Sequence, residues 1–211
     1  MFFTIVGTVY LAGVLSLTAQ ASMVLTESKV LVSRPNSPSI TLIEGMDNAK
    51  ALSIYMRDTM YYFSDQAPLD YFDYFQTPEV LSFSRHGDCD DFAIYSKAML
   101  HKLGYSAQTY YVSYVRPTDT GFESVEHAIT VFLDGQYYSV FSNKEILATF
   151  ERSPILAIKA LYPTWKTIAI LEPVKYGYVT YSEFIDSLKN SIYAPKEKDT
   201  KDTKVLNTKS R

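Results

Sequence analysis

The segment from Asp88 to Gly104 constrains the fold most, because it contains the signals for both ends of a helix. Asp88 suits the N-cap position, and Gly104 suits the C′ position beyond the last turn. Four large apolar side chains recur at helical spacing between them: Phe92, Tyr95, Met99 and Leu103. This spacing predicts a helix with one buried face. Cys89 therefore lies in the first turn, where unsatisfied backbone N–H groups favour a thiolate.

Cys89 is the single cysteine among the 211 residues, so the chain cannot form an intramolecular disulfide. Its place among polar neighbours at a helix start favours a reactive thiol over a buried and inert one. A nucleophilic thiol needs a base and a group that orients the base. His127 is the candidate base, because it opens a strand-like run that can pack against the helix.

The run that His127 opens, residues 127–133, is followed by a second β-rich run, residues 136–142. The pair Asp134-Gly135 between them is typical of a hairpin turn. If these two residues form the turn, Ser142 lies directly across from His127 on the same sheet face. A one-residue bulge would bring Asn143 there instead. Asparagine orients a histidine better than serine does. The chemistry therefore favours Asn143, whereas the regular ladder favours Ser142.

The rest of the chain predicts further elements around this unit. They are a helix from Asp47 or Asn48 to about Phe63, strands over residues 107–115 and 165–171, and a helix opened by a Thr180–Glu183 capping box and running through Ile192. The 18 Tyr and 12 Phe side chains favour a substantial sheet. One helix, then strands, then helices is the order of an α+β domain.

The first 23 residues carry no charged side chain and contain an apolar run followed by Ala19-Gln20-Ala21. This pattern predicts a signal peptide over residues 1–21. Because no Lys or Arg precedes the apolar run, an uncleaved membrane anchor is the alternative. Both interpretations place the domain outside the cytoplasm, either periplasmic or secreted, or associated with the membrane through this segment.

The remaining residues divide into three parts by composition. Residues 22–45 are predicted to be a linker or arm, residues 46–194 the folded domain, and residues 195–211 a disordered charged tail. The net charge is −3, and no basic stripe precedes the tail. Nucleic acid is therefore not an expected partner.

Three strings stand in a fixed order along the domain: Gln76-Thr77-Pro78-Glu79, then Gly87 to Ala93, then His127-Ala128. Their order and spacing resemble the bacterial transglutaminase-like cysteine proteinase family. The resemblance implies a papain-like or transglutaminase-like α+β fold, with a Cys-bearing helix packed on an antiparallel sheet and a histidine and an acidic residue on adjacent strands. It also implies an exported cysteine peptidase that acts on a protein or peptide substrate, with calcium dependence in some members.

The chain departs from the resemblance at the third catalytic position, where Ser142 and Asn143 stand in place of an aspartate. A carboxylate from elsewhere, such as Glu145, is a further option. The intact Cys–His pair also suits amide transfer of the transglutaminase or deamidase kind. Loss of the acidic partner leaves a non-catalytic binding module on the same fold as the other alternative.

Three carboxylates surround the cysteine: Asp88, Asp90 and Asp91. Each tends to raise the thiol pKa unless it caps the helix or binds a cation. Calcium accepts several carboxylate oxygens, and the resemblance implies a calcium site at these positions. Capping of the helix N-terminus is the alternative.

Two more residues are candidates for the substrate side of the site. Gln76 could stabilise an oxyanion, although its place before Pro78 also fits a structural turn. His86 lies three residues before the cysteine and is a competing base, or a loop residue near the site.

Overall fold

The structure, a computed structural model, describes residues 44–194. The predicted leader, nearly all of the predicted arm and the predicted tail lie outside this range. Within it, no helix is long and apolar enough to span a bilayer.

The elements follow one another in this order: α1 (Ala49–Thr59), β1 (Tyr61–Tyr62), β2 (Asp73–Phe75), α2 (Pro78–Ser84), β3 (His86–Gly87), α3 (Cys89–Lys102), β4 (Ala107–Thr118), β5 (Gly121–Asp134), β6 (Tyr137–Ser142), β7 (Glu145–Ala148), α4 (Pro154–Leu161), β8 (Trp165–Leu171), β9 (Gly177–Val179), α5 (Tyr181–Asp186) and β10 (Leu188–Tyr193). Helices and strands are mixed along the chain, as in the predicted α+β class.

A six-stranded sheet with the order β10-β8-β4-β5-β6-β7 organises the domain. All five strand pairs in it are antiparallel, as predicted. Helices α1 to α3 bury apolar side chains against one face, where Phe132 and Phe141 project. Helix α4 covers the other face through Ala157 and Ile158. Successive residues of a strand point to opposite faces of the sheet. Neighbouring side chains on β5 therefore pack into the core on different sides of the sheet.

The Cys-bearing helix forms as the sequence predicts. Helix α3 runs from Cys89 to Lys102 behind Asp88 as its N-cap residue. Gly104 follows the helix with a φ of +87°, a left-handed conformation that glycine adopts without steric strain. Phe92 and Met99 are fully buried on the face that packs against the sheet.

Helix α1 begins as predicted and ends earlier than predicted. The Asn48 side chain accepts a hydrogen bond from the backbone N–H of Ala51 at 2.9 Å, so Asn48 is the N-cap. The helix stops at Thr59, because the next residues, Tyr61 and Tyr62, pair in parallel with β3. This long-range pairing places β1 next to the loop that leads into Cys89.

The predicted register of the central hairpin is wrong by two residues. Asp134 pairs with Tyr137, so the turn residues are Gly135 and Gln136, and Ser142 pairs with Ile129. Gly135 has a φ of +67° at the first turn position, where a type II′ turn requires glycine. A shift of two residues preserves the face of every side chain. Ser142 therefore becomes a diagonal neighbour of His127 instead of its direct partner.

Two helices were not predicted, and a second predicted helix is too long. Helices α2 and α4 each begin with a proline at N1 after a hydroxyl residue, a start signal that the sequence analysis missed. The Thr180 capping box opens α5 as expected. The helix ends at Asp186, and residues 188–193 form the edge strand β10 instead of continuing it. Pairing with β8 outweighs the local helical pattern there.

A buried hydroxyl pair joins the middle of α3 to β5. Thr130 Oγ1 donates to the carbonyl of Ala93 at 2.6 Å, and Ser96 Oγ lies 3.0 Å from Thr130 Oγ1. Both hydroxyl residues are fully buried. No water competes for these buried hydrogen bonds. They therefore fix the position of α3 along β5.

We expect Thr130→Val to lower the free energy of unfolding by about 1–2 kcal/mol, because buried hydrogen bonds between helix and strand are lost. The matched control is Thr109→Val. Thr109 pairs with Thr130 across β4 and β5 and is equally buried, but its hydroxyl has no hydrogen-bond partner within residues 44–194. The control should leave stability unchanged or slightly higher in urea denaturation. Equal losses in both variants would contradict the assignment.

Candidate active site

The Cys89 thiol lies at the junction of α3 and the edge of β5. Cys89 is partly buried in the first turn of α3, and its sulfur lies near the backbone N–H of Ala128 on β5. Strand β6 pairs with β5 only as far as Ile129, whose partner is Ser142. The sulfur therefore occupies the strand edge just beyond the end of β6, next to the peptide of His127.

Burial raises the pKa of the Cys89 thiol to about 12. The Ala128 N–H opposes this shift by favouring the thiolate, whereas the nearby carboxylates of Asp88 and Asp73 raise the thiol pKa further. The sequence predicts that the helix N-terminus favours a thiolate. In this structure, removal of the thiol from water outweighs that effect, so the resting group is a neutral thiol.

The His127 imidazole is held by the neighbouring strand. Its Nε2 lies 2.9 Å from Ser142 Oγ, which leaves Nδ1 as the ring nitrogen free to exchange a proton. Burial lowers the pKa of His127 to about 4. Imidazole and thiol are thus both neutral at pH 7, and a thiolate forms only when His127 takes its proton.

Of the three candidate orienting residues, Ser142 is the one whose side chain contacts His127. Asn143 lies in the β6–β7 turn with a φ of +50°, and its Oδ1 is buried without a hydrogen-bond partner inside the described range. Glu145 is exposed and pairs with Ser142 through the backbone of β7. The hydrogen bond to His127 comes from Ser142 alone among these three residues.

The Gln76 side chain makes hydrogen bonds that hold the local structure together. Its Nε2 donates to Asp91 Oδ2 at 2.7 Å and to the carbonyl of His86 at 2.9 Å, so both amide protons are used. Its Oε1 accepts from Ser84 at 3.2 Å. An oxyanion would have to compete with these bonds, which supports the structural interpretation of Gln76 over the catalytic one.

His86 lies on the surface. Its ring stacks on Tyr61 with centroids 5.5 Å apart, and its Nδ1 lies 2.6 Å from the carbonyl of Ser84. None of its recorded hydrogen bonds reaches Cys89. His127 is therefore a better candidate for the base than His86.

Asp91 stabilises the loop that precedes Cys89 through its hydrogen bonds. Its oxygens accept from the backbone N–H and the side-chain amide of Gln76, each at 2.7 Å, and from the N–H of Asp88 at 3.3 Å. Gly87 leaves room for this carboxylate, since a Cβ there would lie 2.7 Å from Asp91 Oδ2 and 2.9 Å from Leu81. With its oxygens engaged in this way, Asp91 stands apart from the two acidic groups that could hold a metal.

Those two groups share Asp88. Ligand atoms of Asp65, Asp73 and Asp88 lie within 4.8 Å of one another, and so do those of Asp88, Cys89 and Asp90. One oxygen each of Asp65, Asp88 and Asp90 is buried without a hydrogen-bond partner within residues 44–194. Hard oxygen donors that no protein group satisfies are a suitable set for a calcium ion.

Burial raises the pKa of Asp65 to about 7 and that of Asp73 to about 6, and the charge of Asp88 adds to both shifts. A cation among these carboxylates would oppose both shifts, because its charge favours the ionised forms. The sequence analysis missed Asp65 and Asp73, because they lie outside the Cys89 motif and meet it only in three dimensions.

Several solved structures are similar to this chain at low identity. LapG of Legionella pneumophila is 18% identical, with a TM-score of 0.36 over 56% of this chain and 60% of LapG. A calcium-bound form of LapG is 15% identical, with a TM-score of 0.39 over 65% of this chain and 75% of that chain. A Cytophaga hutchinsonii protein described as a candidate cysteine protease is 16% identical, with a TM-score of 0.36 over 75% of this chain and 55% of its own. This chain thus spans less than two thirds of the first and third of these structures.

No curated protein matches the chain. A family model for the transglutaminase-like domain matches residues 37–155, more than half of the chain. The match includes the helix with Cys89 and the strands with His127 and Ser142. It confirms the resemblance and the predicted fold class. The chain belongs to the transglutaminase-like domain family.

Proposed function

We propose that this protein is a cysteine peptidase that cleaves an amide bond of a protein or peptide substrate through Cys89 and His127. The observation that carries the proposal is the placement of the His127 imidazole. Ser142 holds Nε2, so Nδ1 is the free nitrogen, while the thiol lies beside the next peptide along the strand. A candidate base on the strand that adjoins the thiol is what the proposed reaction requires.

The proposed reaction begins with transfer of the Cys89 proton to Nδ1 of His127. The sulfur attacks the substrate carbonyl, and the carbon–nitrogen bond breaks as the imidazolium gives its proton to the leaving amine. Water then hydrolyses the thioester, with His127 as its base, and releases the acid. Because the amide of Gln76 is engaged, the backbone N–H groups at the start of α3 are the donors nearest the oxyanion. An amine in place of water would give amide transfer instead.

One observation favours a second candidate, a binding module without catalysis. Burial raises the thiol pKa and lowers the imidazole pKa, so the two groups do not form an ion pair at rest. The orienting residue Ser142 is neutral and does not stabilise an imidazolium by charge. A fold that had lost catalysis would tolerate both features.

We further propose that calcium binds at Asp65, Asp73 and Asp88, with Asp90 adjacent. The support is the set of buried oxygens without partners and the mutual repulsion of these carboxylates. A bound cation would supply positive charge next to Cys89 and offset the effect of Asp88 and Asp73 on the thiol. Calcium would then favour the thiolate without touching the substrate.

Export also enters as a proposal, supported by the uncharged apolar segment of residues 1–21. A calcium site accords with it, because calcium is plentiful outside the cytoplasm and scarce within it. The substrate would then be a protein of the periplasm or the cell surface.

The peptidase proposal predicts that iodoacetamide modifies native Cys89 about 100-fold or more faster than it modifies the same residue in His127→Ala, because the base supplies the thiolate. Cys89→Ala should abolish cleavage in a peptide library read by mass spectrometry. His86→Ala is the control and should retain the wild-type rate. Equal rates in wild type and His127→Ala would leave the binding module as the better account.

The calcium proposal predicts that Asp65→Asn/Asp73→Asn loses the calcium binding that isothermal titration calorimetry detects in the wild type. Asp70→Asn is the matched control, since Asp70 lies in the same loop but is exposed. It should bind calcium as the wild type does. Undiminished binding in the double variant would contradict the assignment of these ligands.

Without calcium, the free energy of unfolding should fall as the pH rises from about 4 to 7. The folded-state pKa values of Asp65, about 7, and Asp73, about 6, exceed the ordinary value of 3.8, so the folded protein binds more protons over this range. Urea denaturation in a chelator at several pH values measures this slope. The double asparagine variant should reduce the slope without removing it, because the pKa of Asp91, raised to about 8, acts in the same direction. An unchanged slope would show that other groups cause it.

A further inference from the structure

Tyr162 contacts the orienting residue of the candidate active site from outside the strands that carry it. It follows the last residue of α4, and its backbone N–H donates to the carbonyl of Ile158 at 2.8 Å. Its side chain is 8% exposed and packs on the sheet face that also carries Ile129. Its hydroxyl lies 3.4 Å from Ser142 Oγ.

The side chains of Tyr162, Ser142 and His127 form a continuous series of polar contacts. Tyr162 reaches Ser142, and Ser142 reaches Nε2 of His127 at 2.9 Å. The Tyr162 and His127 rings also lie near each other, with centroids 6.3 Å apart. Across the described range, no third side chain forms a recorded hydrogen bond with Ser142 Oγ. Tyr162 is therefore the one group placed to complete its hydrogen bonding.

The need for such a group follows from counting protons. A serine hydroxyl carries one hydrogen and can either donate to Nε2 or accept from it. For Nδ1 to accept the thiol proton, the hydrogen of the neutral ring must lie on Nε2, so Nε2 donates to Ser142 before and after the transfer. The Ser142 hydrogen then has to turn toward another acceptor, and the Tyr162 hydroxyl oxygen is within reach. A carboxylate at position 142 would have no hydrogen to redirect.

We propose that Tyr162 is a positioning residue, which accepts the Ser142 hydrogen and so keeps Ser142 as the acceptor of the Nε2 hydrogen, with Nδ1 of His127 left as the base. In both protonation states of His127, Nε2 donates to Ser142 and Ser142 donates to Tyr162. The two hydroxyls together stand where the family resemblance implies an acidic partner. This inference rests on the proposed function, because it concerns the same base.

A double-mutant cycle tests the proposal through the rate at which iodoacetamide modifies native Cys89 at pH 7.5. Tyr162→Phe should slow the reaction about 3- to 10-fold, the range expected for one hydrogen bond. In a Ser142→Ala background, the same change should have no further effect. Tyr114→Phe is the matched control, because Tyr114 packs against Tyr162 with ring centroids 5.0 Å apart and has no recorded bond to Ser142. It should leave the rate unchanged.

A second measurement separates positioning from packing. In ¹⁵N-histidine-labelled protein, Tyr162→Phe should shift the Nε2 resonance of His127 and leave the unfolding midpoint nearly unchanged. A purely structural role would slow alkylation equally in both backgrounds and leave the resonance in place, which would overturn the proposal.

The cycle also distinguishes this inference from the proposed function. If His127→Ala slows alkylation but Tyr162→Phe does not, the Cys–His pair stands and the role of Tyr162 is wrong. If His127→Ala has no effect, the peptidase proposal and the role of Tyr162 both fail.

Discussion

The attachment of α3 to β5 is the constraint on which the rest of the site depends. The hydroxyls of Ser96 and Thr130 hold the middle of the helix on the strand, and the N–H of Ala128 meets the sulfur at its start. Both contacts lie on the same two elements, with Ser96 seven residues after Cys89 on α3 and Thr130 two residues after Ala128 on β5. Because the helix cannot slide without breaking them, the thiol stays beside the strand that carries His127.

Burial is the dominant electrostatic effect in this region. It favours the neutral form of the thiol, of the imidazole and of the acidic groups beside them. The helix N-terminus and the Ala128 N–H act in the opposite direction and do not prevail. A cation among the carboxylates would oppose this effect, because it favours their charged forms.

Ser142 lies at the third catalytic position, where the family resemblance implies an aspartate, and it can still form a hydrogen bond with His127. Ser142 lies where it can hold Nε2, and Tyr162 supports Ser142 from the helix that covers the opposite face of the sheet from α3. A neutral partner stabilises an imidazolium less than a carboxylate does. The chain therefore relies on hydrogen-bond geometry where an acidic residue would rely on charge.

The sequence by itself determined the elements whose signals lie within a few residues of one another: both ends of α3, Cys89 in its first turn, and the strand from Trp165 to Leu171. Only the tertiary structure decided the hairpin register, the choice of Ser142 over Asn143, and the meeting of Asp65 with Asp88. The physical reason is that local propensity acts along the chain, whereas these contacts join residues that the packing of helices on the sheet brings together.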